Sequence, residues 1–195
     1  MNGYFKTTDE KCNKIQDFTI PDIWWSRLYE YIWAKHLIKS GETVIDAGSG
    51  PNYPFQYELA EYCKVYSIDI NPDLLNSKKH PNITHIVAGI DKMPVPDNSI
   101  DTVYCISVLE HIKLKVVKEV MKEFHRVLKP GGRLVLTMDL TMDGRYSCIR
   151  HPVELIDISE GFTHGDYENK PPENAIRNDE CGLYCYHTVF IKEEV

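Results

Sequence analysis

The stretch Asp46-Ala47-Gly48-Ser49-Gly50-Pro51-Asn52 sets a carboxylate beside two glycines. Glycine lets the chain turn sharply and lets a ligand approach the backbone with no Cβ in the way. A second carboxylate, Asp69, lies 21 residues after Gly48 and ends the run Val65-Tyr66-Ser67-Ile68. A carboxylate so placed can accept both hydroxyls of a ribose. Nicotinamide- and flavin-binding chains also carry a glycine turn and a later acid, so the details decide. The dinucleotide fingerprint needs a third small residue for close helix packing, and Tyr53 occupies that position. Pro51 removes an N–H from a loop that would face a pyrophosphate. Asp46, just before the glycines, suits a ligand with an ammonium group near the turn rather than a diphosphate.

The elements that must hold these residues alternate. Short strands are predicted at 43–46, 64–69, 83–88, 100–106 and 133–138. Helices are predicted at 55–63, 72–77 and 113–128, the last stopped by Lys129-Pro130-Gly131-Gly132. Such alternation with short links predicts an α/β fold with a doubly wound, mostly parallel sheet. In an open parallel sheet the ligand crevice lies outside the carboxyl ends of the strands, where the glycine turn falls. Before the sheet come a polar arm, 1–19, and an aromatic-rich helix, 23–38. After it come a short helix at 152–159, a loop at 164–180 and an alternating strand at 182–192, read as an antiparallel edge strand.

The chain has 195 residues, 43% hydrophobic and 26% charged, which suits a single domain with a core of its own. The net charge of −7 argues against nucleic acid as the main partner, because phosphate binding needs a basic footprint. Lys113, Lys115, Lys118 and Lys122 fall at helical spacing and read as a solvated face. No signal peptide and no membrane-length apolar run is expected, and the six cysteines are scattered. A reducing, cytoplasmic setting is expected. Cys148, His151, Cys181 and Cys185 lack the paired spacing of zinc sites, so no metal is expected.

Four blocks now stand in order. They are Val44-Ile45-Asp46-Ala47-Gly48-Ser49-Gly50, Val65-Tyr66-Ser67-Ile68-Asp69-Ile70, Met93-Pro94-Val95-Pro96-Asp97-Asn98-Ser99-Ile100-Asp101, and Val108-Leu109-Glu110-His111 followed by Phe124-His125-Arg126-Val127-Leu128-Lys129-Pro130-Gly131-Gly132. In order and spacing they resemble the class I S-adenosylmethionine-dependent methyltransferases. The resemblance covers about half the chain, neither end included. Two positions depart from it. Asn52 replaces the third glycine common in the first block, and Gly89-Ile90 replaces Asp-Ala after the third strand.

The resemblance implies a Rossmann-like methyltransferase fold and S-adenosylmethionine as cofactor. Asp46, Gly48 and Gly50 would line the methionine part, and Asp69 the ribose. Ile70 would pack on the adenine, or serve as ordinary core. Ile90 and Asp91 would meet the adenine edge, and Ile106 would lie below the cofactor. In the aromatic helix, Trp25 faces either a cationic ligand or only the sheet. Arg27 suits the cofactor carboxylate and Tyr53 a pocket wall, and Trp25, Arg27 and Tyr53 together are expected to form the substrate pocket. His111 is the candidate general base, with a structural role as the alternative. Residues 1–40 are expected to act as a lid, together with the loop at 139–150. The expected activity is methyl transfer to a small molecule by direct displacement. Two alternatives stand beside it: a non-catalytic cofactor-binding subunit, and a nicotinamide-dependent oxidoreductase.

Overall fold

The computed structural model describes residues 2–141 and 149–194. Six long strands form the sheet: β1 (Thr43–Ala47), β2 (Lys64–Asp69), β3 (Ile83–Val87), β4 (Ile100–Ile106), β5 (Leu128–Leu140) and β6 (Leu183–Lys192). They lie in the order β6-β5-β4-β1-β2-β3. All neighbours are parallel except β5 and β6, which are antiparallel. The direction of winding reverses at β1, which lies between β2 and β4. The carboxyl ends of β1 and β4 therefore border the crevice where this architecture places ligands. Central strands must be apolar on both faces, and β1 meets that demand: Val44, Ile45 and Ala47 are all buried.

Three helices matter here: α1 (Arg27–Lys35), α2 (Phe55–Ala60) and α3 (Leu114–Val127). Helix α3 buries Val117, Val120, Met121, Phe124 and Val127 at helical spacing against one sheet face. Its lysines at 115, 118 and 122 are solvated, as expected. Arg126 on α3 donates to the carbonyls of Val95 and Met93 and to Asp97, which binds the third and fourth blocks together.

Several boundaries differ from the sequence reading. The aromatic helix is shorter than 23–38, because 22–26 form turns and bends that swing Trp24 and Trp25 toward the crevice. Strand β5 starts at Leu128, five residues early. Its pairing with β4 jumps from Ile100↔Leu128 to Thr102↔Arg133, so Lys129–Gly132 bulges out within the strand. The N-terminal segment is not a free polar arm. Gly3–Tyr4 pairs with β6, and Tyr4 and Phe5 are buried. Strand β6 is antiparallel as expected, and its outer side is covered by Gly3–Tyr4, Phe162–His164 and Arg177–Asn178. These short pieces protect an edge that would otherwise present unpaired backbone groups.

Candidate active site

The glycine turn leaves β1 under tight constraint. The N–H groups of Gly48 and Ser49 both donate to the Ile68 carbonyl, at 2.8 and 3.2 Å. Gly48 has φ +75°, and a Cβ there would stand 2.6 Å from a methyl of Val108. Only glycine meets both conditions without strain. Asn52, in place of the third glycine, has φ +56°. Asparagine tolerates that left-handed conformation, and its Oδ1 accepts from Lys78 N–H at 2.8 Å. The departure from the family pattern thus keeps the backbone shape. Beneath the turn, Ser49 and Ser67 share a 2.8 Å hydrogen bond, and Gln56 links Ser67 to the Gly50 carbonyl.

Asp69 accepts from Gly50 N–H at 2.9 Å and from Asn71 N–H at 2.8 Å. Capping of the following 3-10 turn falls to Asn71, which accepts from Asp73 N–H. Ile70 is 76% exposed and is therefore not a core residue. Ile90 is buried and Asp91 is exposed.

A cavity of about 200 Å³ opens over the carboxyl ends of β1 and β4. Asp46, Gly48, Tyr53, Ile106 and His111 line it, with Arg27 and Tyr31 above them. Asp46 is 5% exposed, and no hydrogen bond or ion pair among the described residues holds its carboxylate. Burial, and then the neighbouring Asp69, push its pKa up to about 7. Partial burial and the nearby Arg27 push the His111 imidazole below its ordinary value.

Four site residues were not singled out in the sequence. The first is Glu30, on α1 and fully buried. It accepts from Arg27 at 2.5 Å, Ser26 at 3.0 Å, Ser107 at 2.6 Å and Thr137 at 2.5 Å. One carboxylate thus pins the aromatic helix to the ends of β4 and β5. Arg27 and these hydroxyls hold it below the ordinary carboxyl range despite burial. The second is Ser107, whose φ of +47° ends β4 and aims its hydroxyl at Glu30. Glu110 and Asp139 are the third and fourth. Glu110 accepts from Asp139 N–H at 3.2 Å, while its Oε2 is buried with no hydrogen-bond partner. Burial and the charge of Asp139 push it up to about 8. Asp139 is raised to about 7 by burial and by Glu30, and its Oδ1 also lacks a partner.

A second cavity, about 160 Å³, shares Arg27 and Tyr53 with the first. It brings together Trp25, Arg27 and Tyr53, the residues expected at a substrate pocket, with Ile23, Trp24, Ser26 and Asp139. The Trp24 and Tyr53 rings pack with centroids 4.9 Å apart. Trp25 also rests on the buried Phe5, Ile176 and Cys185. Cys185 donates to Glu30 at 3.4 Å and is engaged in this interior. Cys148 and most of the loop at 139–150 lie outside the described residues.

Residues 45–136 match the family model described as a methyltransferase domain. Over that stretch, just under half of its length, the chain is similar to the class I S-adenosylmethionine-dependent methyltransferases. Among its relatives, a tRNA U34 carboxymethyltransferase of Campylobacter curvus is 25% identical over 143 residues, covering 69% of this chain and 47% of the relative. A ubiquinone/menaquinone biosynthesis C-methyltransferase of Francisella tularensis subsp. novicida is 30% identical over 136 residues, covering 64% and 52%. The chain thus spans about half the length of the curated relatives it matches. The structure of a TehB-like S-adenosylmethionine-dependent methyltransferase from Corynebacterium glutamicum superposes with a TM-score of 0.64 at 17% identity, covering 84% of this chain and 87% of that one. At that identity the likeness concerns the fold alone. No helix among the described residues is long and apolar enough to cross a membrane.

Proposed function

We propose that the chain binds S-adenosylmethionine in the larger cavity and transfers its methyl group to a small acceptor. The observation that carries this reading is Asp46, a buried carboxylate without a partner at the end of β1, facing a cavity over the glycine turn. A buried charge needs a counter-charge. An ammonium group supplies it, and the methionine part of the cofactor has one. Asp69 would take the ribose hydroxyls with the lone pairs left after its two backbone bonds. Ile70, exposed beside it, offers an apolar shelf for the adenine. Ile90 and Asp91 stand on the next loop, at the adenine edge. Ile106 forms the floor, and Trp25, Arg27 and Tyr53 the side toward the acceptor. Neutral at pH 7, His111 forms a polar wall of the cavity.

When bound, the cofactor supplies an electrophilic methyl on a sulfonium. What the protein supplies is alignment and exclusion of water. The segment at 1–40 closes the site from above, through Glu30 and the aromatic cluster, and we read it as a lid held in the closed position. A nucleic-acid acceptor has one observation in its favour, the tRNA-directed relative. The cavity beside the cofactor points elsewhere. Its wall carries Asp139, with Glu110 behind it, and phosphate would be repelled there.

Calorimetry with S-adenosylmethionine, S-adenosylhomocysteine and NAD tests the reading. Both adenosyl compounds should bind, NAD should not, and Asp69→Ala should weaken binding about tenfold or more. Binding of NAD alone, or of none of the three, would refute it. Binding without transfer of label to any acceptor would leave a non-catalytic binding subunit.

A further inference from the structure

The smaller cavity holds an acid that the cofactor does not address. Asp139 stands in its wall, with Glu30 and Glu110 buried behind it. Among the described residues Arg27, also in the wall, bears on all three acids, and it is already paired with Glu30 at 2.5 Å. Two buried oxygens, Asp139 Oδ1 and Glu110 Oε2, have no hydrogen-bond partner, and Glu110 is only 6% exposed. Unsatisfied buried carboxylate oxygens are costly, and sites keep them when a ligand satisfies them. Three aromatic residues, Trp24, Trp25 and Tyr53, share the wall with Ile23 and Ser26. Indole and phenol faces attract cations, and the attraction grows where water is excluded. Acid and aromatic walls together select a positively charged or readily protonated group. Hydroxyl, thiol and carbon acceptors would leave Asp139 without a cation.

We infer that the acceptor is a small amine, bound between Trp24, Trp25 and Tyr53, and that Asp139 is the catalytic residue that takes its proton. This rests on the reading of the larger cavity as the S-adenosylmethionine site. The amine enters as its ammonium form, and a proton passes from nitrogen to the Asp139 carboxylate. The freed lone pair forms a bond to the methyl carbon as the methyl–sulfur bond breaks. The electron pair of that bond stays on sulfur, which becomes a neutral thioether. The positive charge moves to the methylated nitrogen, and Asp139 releases its proton to solvent as the product leaves. Glu110 is a positioning residue. Through Asp139 N–H it fixes the end of β5. The shared wall of Arg27 and Tyr53 places the two cavities edge to edge, as a direct displacement requires.

The test uses the full chain, methyl-labelled S-adenosylmethionine and the pooled small metabolites of a cell extract. Products are separated at pH 7 by cation exchange, and a control without extract marks the peak of unreacted S-adenosylmethionine, itself a cation. Label should collect in cationic peaks absent from that control. In Asp139→Asn, transfer should fall by about 100-fold or more, while S-adenosylhomocysteine binding changes less than threefold. Label in the neutral, anionic or polynucleotide fractions would overturn the amine assignment and leave the cofactor reading standing. Full activity of a folded Asp139→Asn would remove its role as base. Failure to bind S-adenosylhomocysteine at all would instead defeat the cofactor reading beneath both. Asp139→Glu supplies a second variant: it keeps the acid, and it should recover part of the activity lost in Asn if proton transfer is the role.

Discussion

Asp46 should cost the protein stability in exchange for cofactor binding, and Asp46→Asn measures the exchange. Burial raises its pKa from the ordinary carboxyl value to about 7. The folded state therefore holds a proton there between about pH 4 and pH 7 that the unfolded chain has released. Stability falls as pH rises through that window and stays reduced above it. Each unit of separation is worth about 1.4 kcal/mol, so the full cost above pH 7 is at most about 4 kcal/mol. Asparagine has the same shape and no charge. At pH 8 the ligand-free variant should be more stable than the parent by about 2 to 4 kcal/mol. For a domain of this size that is a rise of roughly 4 to 16 °C in melting temperature. At pH 5 the unfolded parent has already released its proton while the folded one keeps it, so about a third of the gain remains, and the two converge only below about pH 4. S-adenosylmethionine should bind the variant about 100-fold more weakly, because the ammonium loses its buried counter-charge. Thermal melts at both pH values and calorimetry on the same samples decide it. Equal melting at pH 8, or the same gain at both pH values, would refute the account of Asp46 as an unpaired buried charge.

Gly48→Ala should destabilise the chain by about 2 kcal/mol or more, from left-handed strain and the clash with Val108. Adding Val108→Ala should recover the clash and leave the strain, as read by chemical denaturation. Glu30→Gln removes the partner of Arg27 and weakens the tie between α1 and the ends of β4 and β5. A loss of about 3 kcal/mol is expected. Limited proteolysis should then cut within the first 40 residues at lower protease concentration than in the parent. With S-adenosylmethionine saturating, kcat/KM for the acceptor should rise by up to tenfold per unit as pH climbs to about 7, then level off. Asp139 must lose its proton to act, and Glu30, Glu110, Arg27, Trp25 and Cys185 set where it does so. A flat profile from pH 5 to 8 would exclude a carboxyl raised to this range as the base.

The alternating core was legible because each strand obeys local rules. Residues 64–69 and 100–106 are strands at the bounds their apolar runs imply, each ending on the side where ligands bind. The glycine turn was legible for the same reason: Gly48 and Gly50 have the positive φ that their type permits. The N-terminal segment was misread because its pairing is non-local. Gly3–Tyr4 finds its partners at Tyr186 and His187, and nothing in a short polar stretch announces a partner so distant in sequence. The bulge at Lys129–Gly132 was hidden because proline and glycine read as a stop. Here they loop out between two paired segments of one strand.

The acceptor side was hard to read for a different reason. Asp46 and Asp69 stand next to the turn they serve, so spacing reveals them. Glu30, Glu110 and Asp139 lie on three separate elements and gain meaning only when the sheet brings them together. A local signal did exist. Arg27 and Glu30 are three apart on one helix face, inside an aromatic run where an exposed ion pair has little reason to occur. Such a pair belongs where aromatic burial also shields charge, at a boundary between core and ligand. The same logic explains why the aromatic segment cannot be only packing. Trp24, Trp25 and Tyr53 could have filled the interface with Leu and Val in their place, and the two unpartnered oxygens of Glu110 and Asp139 would then have had no ligand to justify them. Aromatic faces and an acid with a spare oxygen on one cavity wall are each costly or unnecessary for folding alone, and together they describe the charge and shape of what enters.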